Sequence, residues 1–179
     1  MPDSSKIRVG IIGLSPQRGF ASIAHVPALH ALSDFDIAAV CTTRQESADA
    51  AARHFGIPLA FSNPEDLARH PDVDLVTVTV KVPDHYRPVM VAIDAGKHVY
   101  CEWPLGRNTA EAHEMLEAAE RKGVRHAVGL QGQWSPTIDY VRDLVTDGYV
   151  GKVLTAAAPR IGQLGSIAPT RPISKTAPI

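Results

Sequence analysis

Short apolar runs, rich in β-branched residues, alternate with amphipathic stretches along most of the chain. The runs have the length and composition of buried strands, and they predict strands at residues 7–12, 36–41, 59–61, 75–80, 99–101 and 125–129. The stretches between them have helical spacing and predict helices at residues 22–32, 46–55, 86–95 and 108–122, a short helix that opens at residue 63, and a last helix from residue 135 to about residue 148. Such alternation is typical of a parallel sheet that helices cover on both faces.

Residues with capping preferences mark the ends of several predicted helices. Gly56 and Gly123 stand where helices should end, because glycine adopts the left-handed conformation of a C-terminal cap at little cost. Asn63 and Asn108 stand where helices should begin, and Glu111 follows Asn108 at the spacing of a capping box. With the alternation, these signals predict the α/β class and a Rossmann-type doubly wound parallel sheet.

Composition and charge limit the classes of protein to which this chain could belong. The chain has 179 residues, with 18 basic and 19 acidic side chains and an apolar share of 45%. This length fits one domain, or one domain and part of a second, and the apolar share is that of a globular chain with a core. The near-neutral charge gives no support to a nucleic-acid or membrane partner, and no apolar run is long enough to cross a bilayer. The polar first residues do not resemble a signal peptide, so we expect a cytoplasmic protein.

The two cysteines end the second and fifth strands of the predicted sheet. In a doubly wound order the first and fourth strands lie between them, so Cys41 and Cys101 stand roughly 14 Å apart at about 4.8 Å per strand. That separation is too large for a disulfide. Free thiols agree with a cytoplasmic protein.

The loop after the first predicted strand contains Gly13, Ser15 and Gly19. The dinucleotide fingerprint G-x-G-x-x-G uses its glycines to let backbone amides approach a pyrophosphate at the start of a helix. Here a serine replaces the second glycine and the loop is longer, so the match is weak and a plain strand–loop–helix turn is the alternative. The position of the loop, which opens the first strand–helix–strand unit, favours a phosphate-binding loop.

Two hydroxyls and a cation follow the second predicted strand, at Thr42, Thr43 and Arg44. NAD-specific folds place an acidic residue here to bind the ribose diol. Hydroxyls and a guanidinium suit a 2′-phosphate better, which favours NADP over NAD. The alternative is a helix cap with a solvated arginine.

The remaining ionisable residues do not form a recognisable motif. Eight histidines are spread through the chain without the spacing of a metal site, and we assign neither a metal site nor a catalytic residue. His85 follows a predicted strand on the carboxyl side of the sheet, where it could contact a ligand or cap a helix. His25, on the first helix, could face the site or pack. Asp84 precedes a helix, so capping explains it as well as acid–base chemistry does.

Four segments in order carry a resemblance to a known family. They are Val-Gly-Ile-Ile-Gly at residues 9–13, Val-Lys-Val-Pro-Asp-His-Tyr at 80–86, Glu-Trp-Pro at 102–104, and Val-Gly-Leu-Gln-Gly-Gln-Trp-Ser-Pro at 128–136. Over about residues 6–158 the chain resembles the Gfo/Idh/MocA oxidoreductases, named for glucose–fructose oxidoreductase and inositol dehydrogenase. Within that family it is most similar to the branch of the yeast galactose-pathway repressor, which shares the long first loop and the Glu-Trp pair.

The resemblance implies NADP or NAD as the cofactor and a set of residues that border it. The glycine loop would line the pyrophosphate, and the Thr-Thr-Arg segment would lie near the adenosine ribose. The loop after the fourth strand would border the cofactor, and the Glu-Trp-Pro segment would lie at the nicotinamide ribose. The implied residues are Gly13, Ser15, Gly19, Thr42, Thr43, Arg44, Val80, Lys81, Val82, Pro83, His85, Glu102, Trp103, Pro104 and Gln131.

Trp103 departs from the family pattern, in which a lysine beside the nicotinamide and substrate occupies this position. A tryptophan carries neither a transferable proton nor a charge. The resemblance therefore implies a nicotinamide-dinucleotide-binding protein with weak or no dehydrogenase activity. The alternative is an NAD(P)-dependent sugar or polyol dehydrogenase of which this chain is a part, with a sugar-like small molecule as its substrate.

Family members continue into an α+β domain that binds substrate, mediates dimers and supplies an Asp and His pair for proton transfer. The resemblance implies a first domain at residues 1–127, followed at 128–179 by a linking helix and the incomplete start of that second domain. Residues 153–157 look like its first strand. From residue 157 the chain is rich in proline and glycine, which predicts a loop or a segment that packs against further sequence. Surface left uncovered there makes a homo-oligomer or a protein partner an expectation.

Overall fold

The computed structural model describes residues 6–156. Six strands form one sheet in which every neighbouring pair is parallel. The strands are β1 (Ile7–Ile12), β2 (Phe35–Cys41), β3 (Leu59–Phe61), β4 (Leu75–Val78), β5 (His98–Glu102) and β6 (His126–Gly129). Their order across the sheet is β3-β2-β1-β4-β5-β6. This is the doubly wound order of a Rossmann fold, and it confirms the predicted fold class.

Helical segments connect the strands. They are a π-helical turn (Ala21–His25) that continues as α1 (Val26–Ala31), then α2 (Gln45–Phe55), α3 (Pro64–Arg69), α4 (Tyr86–Asp94), α5 (Thr109–Lys122) and α6 (Pro136–Thr146). Short 3₁₀ turns lie at Val82–Asp84 and Gln131–Trp134. Across residues 6–156, none of these helices combines the length and the apolar character that crossing a bilayer requires.

The sheet has an apolar core on each face. On one face Ile11 of β1 packs with Ala51 of α2 in a cluster of buried residues. On the other face Val76 of β4 packs with Ile93 of α4 and Met115 of α5. Because alternate residues of a strand point to opposite faces, the continuous apolar runs in the sequence reflect strands that are covered on both sides.

The predicted helix caps are present. Asn63 Oδ1 accepts a hydrogen bond from the Glu65 amide at 3.2 Å, and Asn108 Oδ1 accepts one from the Glu111 amide at 2.9 Å. The Glu111 carboxylate differs from a capping box, because it accepts from the amide of Arg107 at 2.9 Å and pairs with the same residue's guanidinium. The cap therefore secures the loop before α5 as well as the helix itself.

Three segments differ from the sequence-based prediction. The first helix begins with a π turn, in which the Val26 amide donates to the Ala21 carbonyl. β4 ends at Val78, two residues earlier than predicted, and the amide and hydroxyl of the next residue, Thr79, both donate to the Ile12 carbonyl, at 2.9 and 3.0 Å. Residues 153–156 have no strand, since an extended segment becomes a strand only when it pairs with another. The rest of the segment predicted from composition, residues 157–179, lies outside the described residues.

The chain separates into two compact units, the first ending at Gln133 and the second beginning at Trp134. The first unit contains the whole sheet and α1 to α5. In the second unit, Pro136 opens α6 at a position that needs no amide donor, as predicted. The division of the chain into a domain at 1–127 and a second one at 128–179 stays a prediction.

Both cysteines are free and buried. Cys41 ends β2 and Cys101 lies in β5, with β1 and β4 between these strands, as predicted. Burial raises the pKa of each thiol to about 12. Neither thiol is therefore a thiolate nucleophile at neutral pH.

Candidate functional site

The carboxyl ends of the strands bring most of the predicted site residues to one edge of the sheet. In parallel sheets of this order, ligands bind at that edge, where the chain reverses its direction of winding between β1 and β4. The loops after β1, β2, β4, β5 and β6 all open there. Each of these loops contains at least one of the predicted site residues.

The glycine loop after β1 is shaped by two glycines with positive φ. Gly13 has a φ of 102°, and its amide donates to the Cys41 carbonyl at 2.9 Å. A Cβ at Gly13 would lie 2.8 Å from Val80 Cγ1 and 3.1 Å from the carbonyl carbon of Thr79, so only glycine fits against the loop after β4. Gly19 has a φ of 106°, and a Cβ there would meet nothing within 4 Å, so its backbone faces open space.

The backbone amides of this loop are available to a ligand. Within residues 6–156, no backbone carbonyl outside the helices accepts from the amides of residues 14, 15 and 17–19, and Pro16 has no amide hydrogen. The buried Leu14 side chain anchors the loop, while the Ser15 hydroxyl donates to Gln17 Oε1 at 3.2 Å. Unpaired amides in front of a helical segment are the chemistry that binds a phosphate group. The loop therefore fits a pyrophosphate despite the serine that replaces the second glycine.

The segment after β2 is only partly free to bind a ligand. The Thr42 hydroxyl donates to the Arg44 carbonyl at 3.0 Å and lies 2.6 Å from the Ser47 hydroxyl, so it secures the start of α2. Thr43 and Arg44 are exposed, and none of the ion pairs within residues 6–156 involves Arg44. The Thr42 hydroxyl is thus engaged within the loop without capping the helix, since the N-cap residue of α2 is Arg44 and it receives no side-chain cap. Thr43 and Arg44 keep their polar groups at the open edge.

His85 joins the loop after β4 to the loop after β5. Its side chain is 1% exposed, with Nε2 at 2.9 Å from the Val80 carbonyl and Nδ1 at 3.0 Å from the Pro104 carbonyl. Cys101 Sγ lies 3.3 Å from Nδ1. His85 therefore fixes the relative position of two site loops through their backbones, while Lys81 remains exposed at the edge.

Trp103 is 64% exposed, and its peptide bond to Pro104 is cis. The indole lines a groove whose other walls include Leu105 of the same loop and Leu130 after β6. Neither Glu102 nor Gln131 lines this groove. Trp103 therefore borders a groove that is separate from the polar cluster around Glu102.

That polar cluster surrounds Glu102, at the end of β5. Gln131 Nε2 donates to both carboxylate oxygens of Glu102, at 2.9 and 3.0 Å, and to the Tyr100 hydroxyl oxygen at 3.2 Å. His25 Nε2 lies 2.5 Å from Glu102 Oε1, and an ionised carboxylate only accepts, so the imidazole donates. The His25 ring is held edge-on to Tyr100 and Phe20, at centroid distances of 5.4 and 5.6 Å.

A glycine makes room for this cluster. A Cβ at Gly129 would lie 2.8 Å from both Gln131 Nε2 and the Tyr100 hydroxyl, and 3.1 Å from Glu102 Oε1. Burial, and then the charge of Glu102, raises the pKa of Tyr100, so its hydroxyl stays protonated at neutral pH. The edge therefore carries one carboxylate, that of Glu102, beside three side chains that have hydrogen-bond donors: His25, Tyr100 and Gln131.

The sequence does not assign two members of the cluster. For His25 it leaves open whether the ring faces the site or packs, and it gives Tyr100 no role. Tyr100 has a readable signal, since residues two apart on a strand share a face and Glu102 is a candidate from the sequence. His25 has none, because its contact with Glu102 joins residues 77 positions apart. Within residues 6–156, no group of three or more ionisable or thiol side chains is arranged to hold a metal ion.

Comparisons with known proteins agree with this geometry. The family model of the Gfo/Idh/MocA proteins, described as an oxidoreductase family with an NAD-binding Rossmann fold, matches residues 7–130. The chain is 37% identical to the dehydrogenase aclE of Aspergillus oryzae over 157 residues, which cover 84% of this chain and 43% of that protein. It is 30% identical to the galactose/lactose metabolism regulatory protein GAL80 of Saccharomyces cerevisiae, over 86% of this chain and 37% of that protein. The chain thus spans less than half the length of these relatives.

Solved structures give the same result. A super-repressor mutant of yeast Gal80p superposes with a TM-score of 0.73 at 30% identity, over 83% of this chain and 40% of that one. A mutant of KijD10, a 3-ketoreductase from Actinomadura kijaniata solved with TDP-benzene and NADP, superposes with a TM-score of 0.76 at 27% identity, over 83% of this chain and 46% of that one. These matches confirm both the family and the similarity to the galactose-repressor branch. The chain belongs to the Gfo/Idh/MocA oxidoreductase family, whose members share the NAD-binding Rossmann fold.

Proposed function

We propose that this chain binds a nicotinamide dinucleotide at the carboxyl edge of its sheet. The observation that carries the proposal is the glycine loop, where unpaired amides lie between two glycines of positive φ in front of the first helix. That arrangement serves an anionic ligand, and a loop that only connected a strand to a helix would not require it.

Each site loop has a role in this proposal. Gly13, Ser15 and Gly19 would hold the pyrophosphate through backbone amides and close approach. The segments after β4 and β5 would border the nicotinamide half: Val80, Lys81, Val82 and Pro83, with His85 joining them to Glu102, Trp103, Pro104 and, after β6, Gln131. When bound, the dinucleotide would supply a carrier of hydride, and the protein would supply position, charge and exclusion of water.

We infer a preference for NADP over NAD from the end of β2. Residues 42–44 provide no carboxylate for a ribose diol, and Thr43 and Arg44 keep a hydroxyl and a guanidinium at the open edge. A guanidinium binds a 2′-phosphate through charge-assisted hydrogen bonds. The relative KijD10, solved in complex with NADP, supports the same choice.

We further propose that dehydrogenase activity is weak or absent. The position of the family's lysine is taken by Trp103, which borders a groove apart from Glu102 and has neither a charge nor a side-chain proton that an acid–base step could use. Lys81 is the exposed ammonium at this edge, but it follows β4 rather than β5, where a contact with a phosphate or a carbonyl group accounts for it as well as proton transfer does.

The alternative is an NAD(P)-dependent sugar or polyol dehydrogenase of which this chain forms the cofactor-binding part. It is favoured by the ionisable cluster of His25, Tyr100 and Glu102, which could move protons, and by relatives that are named dehydrogenases. Oxidation of a sugar or polyol at a rate that depends on the NADP concentration would support this alternative over the proposal of weak or absent activity.

The test is a calorimetric titration of the purified chain with NADPH and, separately, with NADH. We expect micromolar binding of NADPH and weaker binding of NADH. The variant Arg44→Gln should reduce this difference, with Arg53→Gln, an exposed arginine in the last turn of α2, as the matched control for general loss of positive charge. Failure of a folded sample to bind either dinucleotide would contradict the proposal.

A further inference from the structure

The two halves of a doubly wound sheet divide a dinucleotide between them. The half that contains β1, β2 and β3 takes the adenosine ribose at the end of β2, so the other mononucleotide belongs to the half with β4, β5 and β6. Glu102 ends β5 and Gln131 follows β6. The cluster around Glu102 therefore lies in the nicotinamide half of the edge.

Charge in that half acts differently on the two redox forms of the cofactor. The oxidised nicotinamide ring carries a positive charge and the reduced ring carries none. A free carboxylate near the ring favours the oxidised form, and a compensated carboxylate favours it less. The charge state of a single side chain can therefore set the ratio of the two affinities.

The negatively charged side chain of Glu102 has one basic neighbour and one amide neighbour. Its side chain is 16% exposed, and within residues 6–156 the one basic group at ion-pair distance is His25, itself 14% exposed. Gln131 donates to both oxygens, and Gly129 keeps space for that amide. At position 103 there is an indole, so no lysine shares the compensation of Glu102.

We propose that His25 is a positioning residue whose hydrogen bond to Glu102 sets the relative affinity of this site for oxidised and reduced nicotinamide dinucleotide. The inference rests on the proposed function, since it requires the cofactor to bind at this edge. His25 acts through Glu102, because its ring N–H donates to Oε1 and partly offsets the negative charge of the carboxylate. Oε1 also accepts from Gln131, so Oε2, which accepts from Gln131 alone, keeps free acceptor capacity.

Two variants should shift the affinity ratio in opposite directions. His25→Asn removes the imidazole and leaves the Glu102 charge less compensated, so the ratio should move toward the oxidised form by about fivefold. Glu102→Gln removes the charge itself and should move the ratio toward the reduced form by about the same factor. A merely structural role would weaken both forms equally and leave the ratio unchanged.

The experiment measures dissociation constants for NADP⁺ and NADPH by calorimetry, for the wild type and for both variants, with circular dichroism and a thermal melt to establish folding. His30→Asn is the matched control, because His30 lies on the same helix and is exposed. The expected result is two opposite shifts and an unchanged control.

The outcomes separate the two proposals. Binding of the wild type with equal weakening of both forms in the variants, or shifts of the same sign, overturns the role of His25 and leaves the proposed function intact. Absence of binding to the wild type overturns both. If His25→Asn does not fold, His25→Gln takes its place, and a ratio that does not move toward the oxidised form in that variant overturns the role of His25.

Discussion

At the scale of single residues, the site depends on two glycines as much as on its polar side chains. Gly13 admits the loop after β4 and Gly129 admits the Gln131 amide, because a Cβ at either position would approach neighbouring atoms to 2.8 Å. Real Cβ atoms do not approach other atoms this closely, so a side chain at either position would force its neighbours to move. These two glycines therefore define the shape of the edge as strictly as Glu102 does.

Gly129→Ala tests this requirement. The methyl group would displace Gln131 from Glu102 and Tyr100, and we expect a loss of about 1–3 kcal/mol in the free energy of unfolding together with weaker NADPH binding. Urea unfolding and calorimetry measure the two effects. Gly132→Ala is the control, because a Cβ at Gly132 meets nothing within 4 Å. Equal behaviour of the two variants would mean that Gly129 can yield without moving Gln131.

At the scale of elements, the ends of strands and helices follow from local chemistry, and the contacts between them do not. Asn63 and Asn108 cap helices as their sequence context predicts, since a cap involves residues only two or three positions apart. The bond between His25 and Glu102 depends on how the first helix and β5 meet across the sheet, which no local pattern encodes. Local rules therefore predict the elements and the edge, but not the partner of Glu102.

β1 is tied to the start of β4 by an ion pair on the amino side of the sheet. Arg8 donates from Nε to Asp74 Oδ2 at 2.9 Å and from Nη2 to Oδ1 at 2.8 Å, a two-pronged contact. This contact holds the pKa of Asp74 below its ordinary value. A carboxyl with a lowered folded-state pKa contributes stability above its unfolded value of 3.8, and that stability is lost as the pH falls through the folded-state pKa.

Asp74→Asn should therefore lower stability at neutral pH by about 1 kcal/mol and should flatten the loss of stability in acid. Urea unfolding at pH 7, 5 and 3 measures both effects, with the largest wild-type change expected below about pH 4. Asp36→Asn is the control, since Asp36 makes a single contact with Lys6 at 3.1 Å on the exposed surface. Parallel pH curves for the wild type and Asp74→Asn would contradict this role of the ion pair.

At the scale of the whole molecule, the candidate binding site lies at one edge of the sheet, and both cysteine thiols lie in the core. Cys41 and Cys101 are buried in the core below the edge, and burial raises the pKa of each thiol to about 12. At pH 8 both are protonated and out of reach of solvent. A thiol reagent therefore reports opening of the fold and not chemistry at the site.

We predict that a disulfide reagent labels neither cysteine of the native chain within minutes at pH 8 and labels both in denaturant. NADPH should slow native-state labelling further, because a ligand that binds only the folded form lowers the population of open molecules. Absorbance of the released thiolate measures the rate, and the single variants Cys41→Ala and Cys101→Ala assign it. Rapid labelling of either thiol in folded protein would contradict this prediction.

The π turn at Ala21–His25 has a consequence for comparing this chain with its relatives. Residues five apart on a regular α-helix point about 140° away from each other, yet Phe20 and His25 touch edge to face because the turn is widened by one residue. Deleting one residue between them would leave the two rings four positions apart on a regular helix, about 40° from each other and still on one face. A relative whose first helix is regular and one residue shorter can therefore present a histidine at the same place, and an alignment would set the two histidines on either side of a one-residue gap.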